Sequence, residues 1–223
     1  MIKGFRNIAI ISPHPDDETL GVGGSIAKFN ANKNTVSILT VSGHLPPLYK
    51  KNTYELSKKE AEKAYKILGV KNSKFLKIPA TKINEVPIAE LNKKIHDFLN
   101  KYKPEIVFIP FPDRHIDHKI VFESCMVACR PIGKYYPKIV LAYETLSETH
   151  WNAQGVEPSF VPDFFIDISK FIKIKRKALS QYKSQIKNNK TRSIDAVSAL
   201  AKFRGSQIST NYAEVFKTIR SII

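Results

Sequence analysis

The chain has 223 residues, 43% of them hydrophobic and 25% charged, a balance that excludes a disordered segment and is long enough to bury a sizeable core. Its 36 Lys and Arg against 20 Asp and Glu leave a formal net charge of +16, which raises binding to nucleic acid or to an anionic surface as a first idea. No apolar run nears the ~18 residues of a membrane span, and two cysteines, Cys125 and Cys129, exclude a disulfide scaffold or a cysteine-rich zinc knuckle.

The opening residues Met1-Ile2-Lys3-Gly4-Phe5-Arg6 lack the shape of a signal peptide, so a reducing cytoplasm is the expected setting. Apolar, β-branched runs predict strands at 8–12, 36–41, 74–78 (the weakest), 106–110, 139–143 and 164–168. One helix is predicted to start at a capping box, Ser57-Lys58-Lys59-Glu60, to bury Ala61, Ala64, Tyr65 and Leu68, and to stop at Gly69. A second runs from about Ile88 to Tyr102 through Leu91, Ile95, Phe98 and Leu99, with His96 at its surface or boundary. Cys125 and Cys129, four apart on a helical pattern, suit small buried residues. In the basic stretch 170–187, Phe171, Ile174, Ala178, Tyr182 and Ile186 recur at helical spacing, which leaves Lys173, Lys175, Lys177 and Lys183 on solvated faces. The last forty or so residues predict helix and loop. Strands alternating with helices predict one α/β domain over 1–223, with a mainly parallel sheet covered on both faces and a ligand site at the carboxyl ends of its strands.

The first strand ends in Ser12-Pro13-His14-Pro15-Asp16-Asp17-Glu18, followed by Gly21, Gly23 and Gly24. The glycines come too late for a dinucleotide fingerprint, and three carboxylates occupy the turn where a pyrophosphate needs free amide donors. A cation would neutralise that crowding. A solvated acidic helix start is the simpler alternative.

The strand at 106–110 runs into Asp113-Arg114-His115-Ile116-Asp117-His118, which holds two of the six histidines. Sheet topology can bring this run beside His14. Together the two motifs supply the nitrogen and oxygen donors of a zinc site with a position left for water. The same donors also suit the facial triad of a non-haem iron oxygenase, although such triads usually sit on β-barrels. His44, at the end of the second strand, is a candidate for the same pocket. Glu144, His150 and Trp151 follow the strand at 139–143 and are candidates for a substrate wall.

Pro13-His14-Pro15-Asp16-Asp17-Glu18 with Gly23-Gly24, and His115-x-Asp117-His118 about a hundred residues on, resemble the PIG-L/LmbE family of zinc-dependent N-acetylglucosaminyl deacetylases. The similarity extends through Tyr143-Glu144, Ser147-Glu148-Thr149-x-Trp151, Tyr182-x-Ser184-Gln185, Arg204-Gly205-Ser206 and Tyr212-Ala213-Glu214-x-Phe216. The resemblance implies a Rossmann-like sandwich and one Zn2+ per chain held by His14, Asp17 and His118. It implies Asp16 as general base and His115 as general acid or oxyanion-stabilising imidazolium, with Asp117 orienting His115. The arginine that many members carry ahead of the helix begun by Ser57 is missing; only Lys50, Lys51, Lys58 and Lys59 stand there. A lysine cannot form a bidentate fork, so Arg130, Arg192 and Arg204 become candidate replacements.

The implied activity is hydrolysis of the N-acetyl group of a glucosamine-type conjugate, a small molecule that a basic protein would favour in phosphate- or carboxylate-bearing form. No specific nucleic acid is expected as partner. Peripheral membrane contact and a homo-oligomer are left open. The rival readings are an amidase-type metallohydrolase on a non-sugar N-acyl substrate and a basic, non-catalytic binding module.

Overall fold

The computed structural model describes residues 5–187 and 189–222; the opening Met1 to Gly4 stretch lies outside the described residues. Seven strands form one sheet: β1 (Asn7–Ser12), β2 (Thr35–Gly43), β3 (Asn72–Pro79), β4 (Ile106–Pro110), β5 (Ile139–Tyr143), β6 (Phe164–Asp167) and β7 (Ala213–Ser221). Their order is β3-β2-β1-β4-β5-β7-β6, parallel from β3 through β5, with β7 antiparallel to both β5 and β6. The helices are α1 (Asp17–Ala31), α2 (Thr53–Leu68), α3 (Ile88–Tyr102), α4 (Ile116–Ala128), α5 (Ile172–Leu179), α6 (Lys183–Ile186) and α7 (Ile194–Ser206).

Strands buried on both faces read as unbroken apolar runs. In β1, Ile8 and Ile10 join the core beneath α1, α2, α5 and α7, while Ala9 and Ile11 join the core beneath α3 and α4. The chain winds outward from β1 in one direction to β3, then returns to β4 on the other side. The carboxyl ends of β1 and β4 therefore flank the crevice where such sheets bind ligands. Both sequence motifs lie in that crevice.

α1 packs tightly enough to need its glycines. A Cβ on Gly24 would stand 2.6 Å from Ile168 Cδ1, and one on Gly21 would meet the Tyr143 ring and the Glu144 carbonyl. The glycines serve close packing and not a phosphate.

Three expectations need correction. α2 begins at Thr53, so Ser57 and Glu60 are not a cap: Ser57 Oγ donates to the Tyr54 carbonyl, and the buried Glu60 carboxylate accepts from Ser184. The extra turn arises because Tyr54 packs on Gly43 of β2. The end of the chain includes a strand, β7, and not only helix and loop. In α5 the buried face is Ile172, Lys175, Ala178 and Leu179, so Lys175 is an interior residue and not part of a solvated face. Cys125 and Cys129 are buried free thiols, and His96 is exposed. Among the described residues no helix is long and apolar enough to cross a membrane.

Candidate metal centre and active site

The loop after β1 turns sharply into α1 at Asp16, whose φ of 124° is a strained conformation for a residue with a side chain. The turn sends Asp17 and His14 to one point. His14 Nδ1 lies 3.1 Å from Asp17 Oδ2, and the His14 backbone N–H donates to the same oxygen at 3.0 Å. From α4, His118 Nε2 approaches that oxygen to 3.3 Å. Tetrahedral zinc with bonds of ~2.0–2.1 Å separates its ligand atoms by roughly 3.3–3.4 Å. Asp17 Oδ1 and His118 Nε2 are buried and have no hydrogen-bond partner. Two such atoms, a carboxylate oxygen and an imidazole nitrogen, fit a cation. His115 joins them: one ligand atom each from His14, His115 and His118 lie within 4.8 Å of one another.

Other carboxylates hold the imidazoles from behind. Asp113 Oδ2 lies 3.0 Å from His118 Nδ1 and also accepts from Thr149 Oγ1 at 2.9 Å. This leaves His118 Nε2 for a metal. Asp117 Oδ2 lies 2.8 Å from His14 Nε2 and accepts from the Thr81 backbone N–H at 2.8 Å. Asp117 thus supports His14 with its carboxylate, and touches His115 only through its backbone N–H, which donates to His115 Nδ1 at 3.1 Å. That bond makes His115 the N-cap of α4.

The electrostatics follow from burial and from these pairs. Burial works against charged His14 and His118, yet their carboxylate partners hold them up at about 9 and about 10. Burial also opposes ionisation of Asp17, but His118 and His14 keep it well below the usual carboxylate range. Burial raises Asp16 to about 7 against the pull of Arg192. Burial, with His14 and His118 beside it, lowers His115 to about 4. A neutral His115 that accepts at Nδ1 carries its proton on Nε2, and a helix N-terminus disfavours an imidazolium there.

The remaining candidates divide. Arg192 reaches the site from the C-terminal part: Nη1 to Asp16 Oδ2 is 3.2 Å, Nη2 to Glu148 Oε1 is 2.7 Å, and Nε donates to Ser147 Oγ at 2.9 Å. Arg204 forms a two-pronged bond with the buried Glu144, at 3.0 and 2.6 Å, and His150 approaches Glu144 to 3.3 Å. Arg130 is not brought in. It stands just past α4, about 18 Å from His118 at 1.5 Å per residue, and folds back on the Val127 carbonyl. His44 is buried, stacks edge-on against Tyr49 and leaves Nδ1 without a partner. Trp151 is exposed beneath the Arg114 guanidinium, which also binds Glu148. Asp113 and Glu148 enter the site without a role that the sequence predicts; the only signal for Asp113 is its place in the same Asp/His run.

The family model described as GlcNAc-PI de-N-acetylase matches residues 9–129, more than half of the chain. A diacetylchitobiose deacetylase from Thermococcus kodakarensis is 28% identical over 194 residues, covering 81% of this chain and 70% of its own. Among solved structures, the conserved protein TT1542 from Thermus thermophilus superposes with a TM-score of 0.77 at 27% identity, over 97% of this chain and 96% of that one. The 4-carboxy-2-hydroxymuconate hydratase GalB from Pseudomonas putida superposes with a TM-score of 0.79 at 18% identity over 98% of each chain, which shows a shared fold alone. With the motifs seated in the crevice between β1 and β4, the chain belongs to the PIG-L family and is a deacetylase, an amide hydrolase.

Proposed function

We propose that this deacetylase removes the acetyl group from an N-acetylglucosamine-type conjugate, with one Zn2+ held by His14, Asp17 and His118. The observation that carries the reading is the approach of His14 Nδ1, at 3.1 Å, and His118 Nε2, at 3.3 Å, to the same Asp17 Oδ2, with Asp16 next to it in the chain. Zinc, when bound, supplies Lewis acidity toward the acyl carbonyl and acidifies water.

The chain's own groups do the rest. Asp16 takes the proton from the attacking water as it adds to the amide carbon, and Arg192 holds its carboxylate in place. His115 Nε2–H donates to the oxygen that becomes negative. Asp16, now protonated, returns its proton to the departing amine. Acetate and a free amine leave. His44 and Trp151 are the candidates for contact with the sugar. Arg192 takes the place left by the family's missing arginine, acting through Asp16.

The relative from Thermococcus is named for diacetylchitobiose, so short N-acetylated glucosaminides head the substrate screen. Acetate release is measured across free, phosphorylated, thiol-linked and lipid-linked N-acetylglucosamine, with chelated enzyme as control. Metal-dependent release from one of these supports the proposal. Release only from non-sugar N-acyl amides would transfer the same machinery to the amidase reading.

A further inference from the structure

α1 presents Asp17 and Glu18 in its first turn and then carries Gly21, Gly23 and Gly24. Glycine weakens a helix because its unfolded backbone has more freedom to lose. The catalytic turn therefore stands on a soft stretch of helix. One buried ion pair grips that stretch from outside. Lys175 of α5 and Glu214 of β7 meet at 2.6 Å, both side chains 3% exposed. Glu214 accepts from the backbone N–H of Gly24 at 2.8 Å and of Ser25 at 2.7 Å. Lys175 Nζ donates to the Leu20 carbonyl at 2.7 Å, the acceptor that the Gly24 N–H meets in a regular helix. The Leu20 N–H in turn donates to the Asp16 carbonyl at 2.8 Å. Gly23 keeps the path of the lysine open, since a Cβ there would stand 3.2 Å from Lys175 Cγ.

Replacing a buried ion pair by well-packed apolar residues of similar volume is often neutral or stabilising, so stability is a weak reason for this pair. We propose that Lys175 and Glu214 are positioning residues: they fix the α1 backbone between Leu20 and Ser25, and through it the turn that presents Asp17 to the metal and Asp16 to the substrate. The inference rests on the zinc site proposed above and assigns it a support from beyond residue 129, where the family match ends.

The test titrates the full chain, stripped by chelator, with Zn2+ against a chromophoric competitor, and follows thermal unfolding and kinetics in parallel. Glu214→Gln should weaken Zn2+ binding by about tenfold or more and lower kcat with little change in KM. The paired variant Lys175→Met/Glu214→Leu should regain wild-type thermal stability and still bind Zn2+ about tenfold more weakly. It carries the test even where Glu214→Gln does not fold. A paired variant that binds Zn2+ as tightly as wild type, or that fails to regain stability, overturns the positioning role. Wild-type chain that binds no Zn2+ overturns the zinc reading itself, a result distinct from unchanged variants.

Discussion

Arg192 and Asp16 lie 176 residues apart in the chain and meet at 3.2 Å in the candidate site between β1 and β4. The arginine is pinned on its far side by Glu148 and Ser147, so its charge cannot swing away from the carboxylate. Burial holds Asp16 at about 7, and Arg192 is what keeps it from rising further. Arg192→Met should therefore raise the Asp16 pKa, leave the base protonated at neutral pH and lower kcat/KM there by roughly tenfold or more. The loss should shrink as pH rises, because the base ionises again. A pH–rate profile that keeps the acid limb of wild type would sink this role.

Metal binding should release protons. His14 at about 9 and His118 at about 10 are protonated near neutrality in the metal-free chain, and a cation takes only neutral imidazole. Zn2+ affinity should rise with pH across the range from about 6 to 9, and calorimetry in buffers of different ionisation enthalpy should count protons released. A pH-independent affinity would contradict the assigned ligands.

Asp117→Ala removes the partner of His14 Nε2 and of the Thr81 N–H. It should weaken Zn2+ binding by about 10–100-fold. Asp113→Ala should do the same through His118. Equilibrium dialysis against a buffered zinc series would reveal a variant that loses activity while binding zinc normally, which would move these carboxylates from supporting the ligands to the chemistry itself.

The Glu144–Arg204 pair makes stability depend on acid. Burial opposes ionisation of Glu144, but His150 and Arg204 hold its carboxyl below the usual range. A folded pKa lower than the unfolded one contributes stability above the unfolded value, and that stability is lost as pH falls through the folded value. Glu144→Gln should cost about 2 kcal/mol near neutrality and progressively less in acid. Chemical unfolding at two pH values checks this; an equal penalty at both would show that the charge is not what matters.

The fold is largely legible in the sequence where burial is two-sided. β4 and β5 are apolar runs with every residue buried, and the predicted and observed boundaries coincide. α3 shows its helical spacing just as openly. β7 is harder because Glu214, Lys217 and Arg220 interrupt its apolar residues, and the partner that accommodates Glu214, Lys175, comes from another element. The start of α2 and the buried face of α5 depend on tertiary contacts of Tyr54 and Lys175, which no local pattern carries. The site divides the same way. His14, Asp17, His115 and His118 sit in two short runs at strand ends that spacing picks out, although only the family resemblance singles out Asp17 within its acidic run. Arg192 reaches Asp16, and Glu148 reaches Arg192, from segments far along the chain, so only the structure selects Arg192 over Arg130.

Close packing at α1 gives a further expectation. Gly24→Ala gains roughly 1 kcal/mol of helix propensity, but the new Cβ would lie within 3 Å of Ile168 Cδ1, Cβ and Cγ2. Overpacking of this kind costs about 1–3 kcal/mol, so the variant should melt at a lower temperature than wild type. A higher melting point would mean that Ile168 yields more easily than its packing implies.

The +16 charge remains outside this machinery, which is built around the acidic run Asp16-Asp17-Glu18. In the proposed reaction Asp16 acts on a substrate at a metal held by its neighbours. The most direct test measures acetate release and bound zinc together for Asp16→Ala and His118→Ala. Asp16→Ala should keep zinc and lose turnover by about 10²-fold or more, while His118→Ala should lose zinc and turnover alike. Near-wild-type acetate release from zinc-loaded Asp16→Ala would contradict the account.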